Sequence, residues 1–245
     1  MTIQQISDTV FSNYPIQMPI DHPLRLRHYA ERLLGWRDAH DCAVYRSEEH
    51  IMKRVIIVGS SGSGKSTLAR GLGKRLSLPV VHLDRHFWHA GWVGTPFRDW
   101  QTQIEQLAAG ERWIMDGNYR STLEIRAAAA DTIIFLDLPR TLCVARAIKR
   151  RFQYAHKQRP DMAQGCQEHI FDPYFPLFLR RIWNYSNRAK PQLLKKLSAW
   201  EKQKTVIHLT STTAVNHFLA CPHLFPHGIN QGTPQLATKA NLTLY

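Results

Sequence analysis

Nine consecutive residues, Gly59, Ser60, Ser61, Gly62, Ser63, Gly64, Lys65, Ser66 and Thr67, carry the densest chemistry in this sequence. The spacing G-x-x-x-x-G-K-S lets the backbone curl until successive N–H groups point at one anion. Lys65 adds a compact positive charge for the β and γ phosphates of a nucleoside triphosphate, and the Ser66 hydroxyl is placed to ligate Mg2+. The flanks agree. Residues 55–58 are all β-branched, as in a strand buried on both faces of a parallel sheet, and Leu68, Leu72 and Leu76 recur at helical spacing. A helix therefore begins at the loop and turns its positive N-terminus toward the phosphates. A chance Gly/Ser linker would not place strand, loop, Lys-Ser and helix in that order.

Three acids and a set of arginines could complete such a site. Asp116 ends an apolar strand, where P-loop proteins keep an acid that orients Mg2+ and its waters; the alternative is a cap or turn former before Gly117. Asp84 ends another apolar run and can accept a proton from an attacking hydroxyl or orient a substrate, unless it only shapes a turn. Asp137, followed by Leu138-Pro139, reads as a turn residue. Arg146 and Arg150 are four apart and share a helix face, with Arg159 beyond them in a polar segment. Guanidinium groups on a closing lid can stabilise a phosphoryl group in flight, and the plainer alternative is a solvated basic face. His82, His86 and His89 bracket Asp84 and read as loop histidines near a substrate rather than as zinc ligands. Phe87, Trp88, Trp92 and Trp100 could stack a nucleobase or cap the core.

The elements that must position these groups alternate along the chain. Apolar runs at 55–58, 78–84, 112–120, 131–139 and 205–211 read as five strands, the second ending in Asp84. Helices are expected over 98–110, 140–153, a long aromatic–basic stretch interrupted near Pro191, and 212–220. Within that stretch Tyr174, Phe178 and Ile182 recur every four residues as one buried helix face. Such alternation gives an α/β fold, a five-stranded parallel sheet with helices on both faces, with ligands at the carboxyl ends of the strands.

Composition bounds the rest. At 245 residues and 44% apolar content the chain can build one sizeable core. No stretch approaches the roughly 20 apolar residues of a membrane span, and the four scattered cysteines suggest neither a zinc knuckle nor a disulfide frame, so a reduced cytoplasm is expected. The net charge of +13 is uneven: residues 140–204 hold fifteen Lys and Arg against four Asp and Glu, a balance of +11. Such a block can grip a nucleic-acid backbone or line a lid over a triphosphate.

With these residues in view the chain resembles the DNA topology modulation protein family, a branch of the adenylate-kinase-like P-loop proteins. The resemblance is carried by "GSSGSGKSTLA", "LPVVHLD", "WIMDGNY", "ADTIIFLDLPR" with Cys143 and Arg146, and "RPDMAQGC", from Met52 to about Ala220. It implies a nucleoside-monophosphate-kinase-like core, ATP on the Gly59–Thr67 loop, and a lid after strand four over about 152–168. "DGNYR" stands where adenylate kinase has "DGFPR", which makes Asp116 similar to its Mg-water acid and Arg120 to its acceptor-phosphate arginine. Arg146 and Arg150 are similar to its lid arginines.

The leading expectation is an ATP-dependent phosphotransferase acting on a small nucleoside- or nucleotide-like acceptor. Lys65, Asp84, Arg146 and Arg150 would be catalytic, Asp84, Arg120 and Trp88 would bind substrate, and Ser66 and Asp116 would hold Mg2+. The alternatives are a nucleotide-dependent DNA-binding regulator and a polynucleotide kinase. Residues 52–221 are expected to form the kinase-like domain and 222–245 a loose tail. Residues 1–51, with five Arg against seven acids, read as a start-site artefact or a loosely attached extension, or else as a segment whose residues 23–36 dock as an amphipathic helix.

Overall fold

The computed structural model describes residues 52–220 and Pro222. The expected N-terminal extension, Cys42, Cys221 and the tail beyond Pro222 lie outside the described residues. Strand β1 (Arg54–Gly59) is the centre of the sheet because all four of its β-branched residues are apolar on both faces of the pleat. It pairs in parallel with β5 (Trp113–Asp116) on one side and β6 (Thr132–Leu136) on the other. Beyond these lie β2 (Val80–His82) and β7 (Thr205–Leu209), also parallel, giving the order β2-β5-β1-β6-β7.

Alternation along β1 feeds two cores. Val55 and Ile57 pack with Leu68 and Leu72 of helix α1 (Lys65–Leu76), and with Phe218 of the last helix (Thr212–Ala220). Ile56 and Val58 face the other way. They join Trp100 and Ile104 of α3 (Phe97–Ala108), Leu123 and Ala127 of α4 (Leu123–Ala129), and Leu193 and Leu197 of α7 (Lys190–Trp200). Burying each such branched or aromatic side chain stabilises the fold by about 1.5–3 kcal/mol. A smaller cluster, Leu138, Cys143, Ala147 and Ile182, joins α5 (Arg140–Gln153) to α6 (Phe175–Arg188). The expected interruption near Pro191 is the break between α6 and α7, with the proline in the first turn of α7, where a missing N–H is tolerated. With the helix over Thr212–Ala220 taken as α8, the expected helices over 140–153 and 212–220 hold to their bounds.

Two segments cover the carboxyl edge of the sheet, and both depart from the sequence reading. The second strand ends at His82, not at Asp84; the chain turns at once into a short helix α2 (Leu83–Phe87) with Asp84 in its first turn. The aromatic stretch that follows is a tight antiparallel hairpin, β3 (Trp88–His89) on β4 (Val93–Gly94). Helix α5 runs on through Phe152 and Gln153, so the segment expected as a lid, about 152–168, opens in its last turn. A single bridge between Ala155 and Glu168 closes its base.

Candidate active site

The phosphate-loop geometry follows from its glycines. Gly59, Gly62 and Gly64 have φ of 147°, 80° and 98°. A Cβ on Gly62 would lie 2.1 Å from the Cys143 carbonyl oxygen, so the loop is seated on α5 at a distance only glycine permits. The Lys65 ammonium donates to the Gly59 and Ser60 carbonyls, both at 2.9 Å, across the mouth of the loop. Burial lowers the pKa of Lys65, and the carboxylates of Asp116 and Asp84 work against that shift. The Ser60 and Ser63 hydroxyls are buried without a protein partner, which suits a loop shaped to receive phosphate oxygens. Asn118 closes the loop's start by accepting from the Gly59 N–H at 2.9 Å.

Both candidate acids lie within electrostatic reach of this lysine. Asp116 is buried at the end of β5 and meets His82 Nδ1 at 2.5 Å through Oδ1. Asp84 accepts from the Tyr119 hydroxyl at 2.6 Å. Burial drives the Tyr119 pKa far up, and the Asp84 charge pushes it further, so the phenol remains a donor; the Trp88 indole faces the same hydroxyl. The Trp88 ring stands edge-on to Phe87 at 4.9 Å, and Phe87 in turn lies 4.8 Å from the Tyr119 ring. The Asp-Gly-Asn-Tyr turn is held from below by Arg126, whose guanidinium donates to the Gly117 and Tyr119 carbonyls at 3.1 and 2.9 Å. Burial lowers Arg126 to about 10.

The arginines divide. Arg146 lies on the loop, donating to the Ser63 carbonyl at 3.3 Å and to the Thr212 hydroxyl at 3.2 Å. Arg150 is desolvated, which lowers its pKa, and it stands close enough to Asp84 and Lys65 to feel both charges. Arg159 is not available to a phosphate. It is buried between Asp161, with contacts of 3.2 and 2.7 Å, and Glu168 at 2.7 Å, and it ties together the segment over 159–168. Arg159 holds the Asp161 carboxyl below its usual range despite burial, with help from the Ser66 hydroxyl that it faces. Arg120 donates to Gln192 on α7.

Several expectations need correction. Asp137 is not a turn residue. Its carboxylate binds Lys190 at 2.7 Å and His208 at 3.0 Å, tying β6 to β7 and to α7. Trp100 belongs to the core, whereas Trp88 and Trp92 belong to the hairpin. Of the helical face Tyr174, Phe178, Ile182, only Ile182 is buried, and Tyr174 is 74% exposed. His82 pairs with Asp116, and His89 Nε2 lies 3.1 Å from the Thr95 hydroxyl. Among the described residues no group of three or more His, Cys, Asp or Glu could hold a metal by itself. His82, expected as a loop histidine near a substrate, instead ends β2 against Asp116, while Asn118, Tyr119, Arg126 and Asp161 were given no role by the sequence, although Asn118 and Tyr119 lie inside the quoted "DGNYR".

No family model matches the chain. The uncharacterized protein YqaC of Bacillus subtilis (strain 168) is 27% identical over 103 residues, covering 41% of this chain and 58% of that protein. This chain therefore spans less than two thirds of that relative's length. Among solved structures, the chain is similar to a shikimate kinase from Bacteroides thetaiotaomicron (TM-score 0.41, 17% identity, 69% of this chain and 94% of that one). A gluconokinase from Sinorhizobium meliloti 1021 matches with TM-score 0.39 and 14% identity over 72% of this chain and 93% of that one. Likeness at these scores carries no argument about activity; the α/β P-loop fold rests on the sheet and loop described above. No described helix is long and apolar enough to cross a membrane.

Proposed function

We propose that the chain is an ATP-dependent phosphotransferase of the adenylate-kinase-like class, acting on a hydroxyl of a small acceptor. The observation that carries this reading is Lys65, held across the mouth of the glycine loop by the Gly59 and Ser60 carbonyls, with Asp84, Asp116 and Arg150 all within electrostatic reach of it. In the proposed reaction the acceptor oxygen bonds to the γ-phosphorus, the bond from that phosphorus to the β–γ bridging oxygen breaks, and ADP leaves. Asp84 takes the acceptor's proton on the carboxylate oxygen that Tyr119 does not occupy. Lys65 follows the γ-phosphate, Arg150 balances the charge that spreads over its equatorial oxygens, and Arg146 holds the nucleotide against the loop.

Ser66 and Asp116 offer hard oxygen donors of the kind Mg2+ takes when most of its shell is phosphate and water. When bound there, the metal would neutralise charge on the β and γ phosphates. His82, bonded to Asp116 Oδ1, would fix the orientation of that carboxylate. The resemblance to the DNA topology modulation family supports the same placement of Asp116. The decisive test is Lys65→Ala. ATP affinity is expected to fall sharply and any turnover by on the order of 10²–10³-fold; an unchanged affinity and rate would sink the assignment.

A second reading, a nucleotide-dependent DNA-binding protein, draws on one observation. Phe171, Tyr174, Leu177 and Trp183 are exposed at 95, 74, 53 and 44% around the basic helix α6. Aromatic rings among arginines can stack nucleic-acid bases.

A further inference from the structure

The hairpin and the lid are bonded to each other although they stand 75 residues apart in the chain. The Gly91 N–H donates to the Gly165 carbonyl at 3.1 Å. The Trp92 indole N–H donates to the Gln167 carbonyl at 3.1 Å, and the Cys166 thiol to the His89 carbonyl at 3.1 Å. A Cβ on Gly165 would sit 2.7 Å from the Ala90 Cβ, and its φ of +77° is one that L side chains rarely adopt, so space and backbone both demand glycine. Trp92 itself sits at φ 63°, a setting that an aromatic residue holds only where its surroundings impose it.

Each segment leads back to the candidate chemistry. From Cys166 the lid runs into Glu168, whose carboxylate lies 3.9 Å from the Arg150 guanidinium. From His89 the hairpin returns through Trp88, edge-on to Phe87, whose ring lies 4.8 Å from that of Tyr119, and so to Asp84. The cover over the donor side and the cover over the acceptor side therefore meet.

We propose that hairpin and lid act as one clasp that seals the crevice between Lys65 and Asp84. The acceptor is accordingly a small free hydroxyl compound that fits wholly beneath the clasp, not the hydroxyl end of a polynucleotide. This inference rests on the phosphotransferase reading above. A polymer acceptor must leave the crevice, and the path between hairpin and lid is barred by three hydrogen bonds and the Gly165–Ala90 contact. A sealed site also keeps water from the γ-phosphate.

Hydrogen exchange on the full chain, with and without a Mg-bound non-hydrolysable ATP analogue, tests the clasp. Slowing over 65–76 reports nucleotide binding; slowing over 88–94 and 155–168 to the same degree reports a single closure. In Gly165→Val the first is expected to persist while both covers return to their nucleotide-free rates. Trp92→Phe, which removes only the indole donor, is expected to give the same pattern in weaker form should the valine variant fail to fold. Lid residues that slow while 88–94 stays unchanged overturn the clasp, whereas no slowing over 65–76 overturns the nucleotide site beneath it. Transfer of labelled γ-phosphate from ATP to a 5′-hydroxyl oligonucleotide by the wild-type chain overturns the acceptor class; none above background is expected.

Discussion

Arg146 and Arg150 show how two like residues four apart come to differ. Arg146 is already anchored on the loop by the Ser63 carbonyl and the Thr212 hydroxyl, so its contacts exist before any bond changes. Arg150 is desolvated, within electrostatic reach of Asp84 and Lys65, and its buried Nε makes no hydrogen bond and only a loose 3.9 Å approach to Glu168. A charge so placed acts most strongly on charge that develops during transfer. Arg150→Ala is therefore expected to lower kcat by on the order of 10²–10³-fold while ATP affinity moves about threefold or less. Arg146→Ala is expected to weaken ATP binding about five- to tenfold with a smaller effect on kcat, as loss of charge-assisted hydrogen bonds would. Calorimetry and steady-state kinetics on the two variants separate these roles, and equal losses in both parameters for both residues would refute the division. At this scale much was legible in the sequence: the glycine loop, Lys65, Ser66, Asp116 and the arginine pair follow from types and spacing. The partners of those groups were not. Nothing in the spacing joins His82 to Asp116 or Tyr119 to Asp84, because each pair forms only when separate strands and turns are brought to one edge of the sheet.

Elements were legible where one signal dominated. The β-branched run of β1, the apolar run of β6 and the periodic helices α5 and α8 each satisfied a single period. Signals failed where tertiary contacts decide. Asp84 continues an apolar run by sequence, yet the strand ends two residues earlier, and Asp137 resembles a turn former until Lys190 and His208 arrive from later elements. That last contact has a consequence for stability. Burial works to raise the Asp137 pKa, but hydrogen bonds from His208 and Lys190 carry it below its ordinary value. A group whose folded pKa is depressed adds stability that is complete above its unfolded value, about 3.9, and is lost as pH falls through the folded one. Asp137→Asn is thus expected to destabilise the chain by about 1–2 kcal/mol at neutral pH. Wild type and variant should converge as the pH drops below about 4. Denaturant melts at several pH values check this, and a deficit that persists unchanged in acid would assign the loss to packing.

The whole molecule carries +13, and the question is how much of that charge faces outward as a field. Within the basic block of 140–204 much of it is already engaged. Arg150, Arg151 and Arg159 share Asp161, Glu168 and Asp172. Arg140 lies over the Trp183 ring at 4.2 Å, Lys190 pairs with Asp137 and Lys196 with Glu124. Lys204 donates to the carbonyls of Ala128 and Ala130. A surface built to follow a phosphate backbone would instead leave such cations exposed in a row. Under the phosphotransferase reading the chain should bind duplex DNA only weakly, with a dissociation constant of about 10⁻⁴–10⁻⁶ M. Its log–log salt slope should be no steeper than about −3, from two or three loose phosphate contacts. Mg-ATP should leave that binding unchanged, because the groups that take the nucleotide lie beneath the clasp. Anisotropy titrations of labelled duplex across a salt series, with and without Mg-ATP, measure both quantities. A slope of about −6 or steeper, shifted by nucleotide, would turn the conclusion to the DNA-binding reading and make the exposed rings around α6 its contact surface.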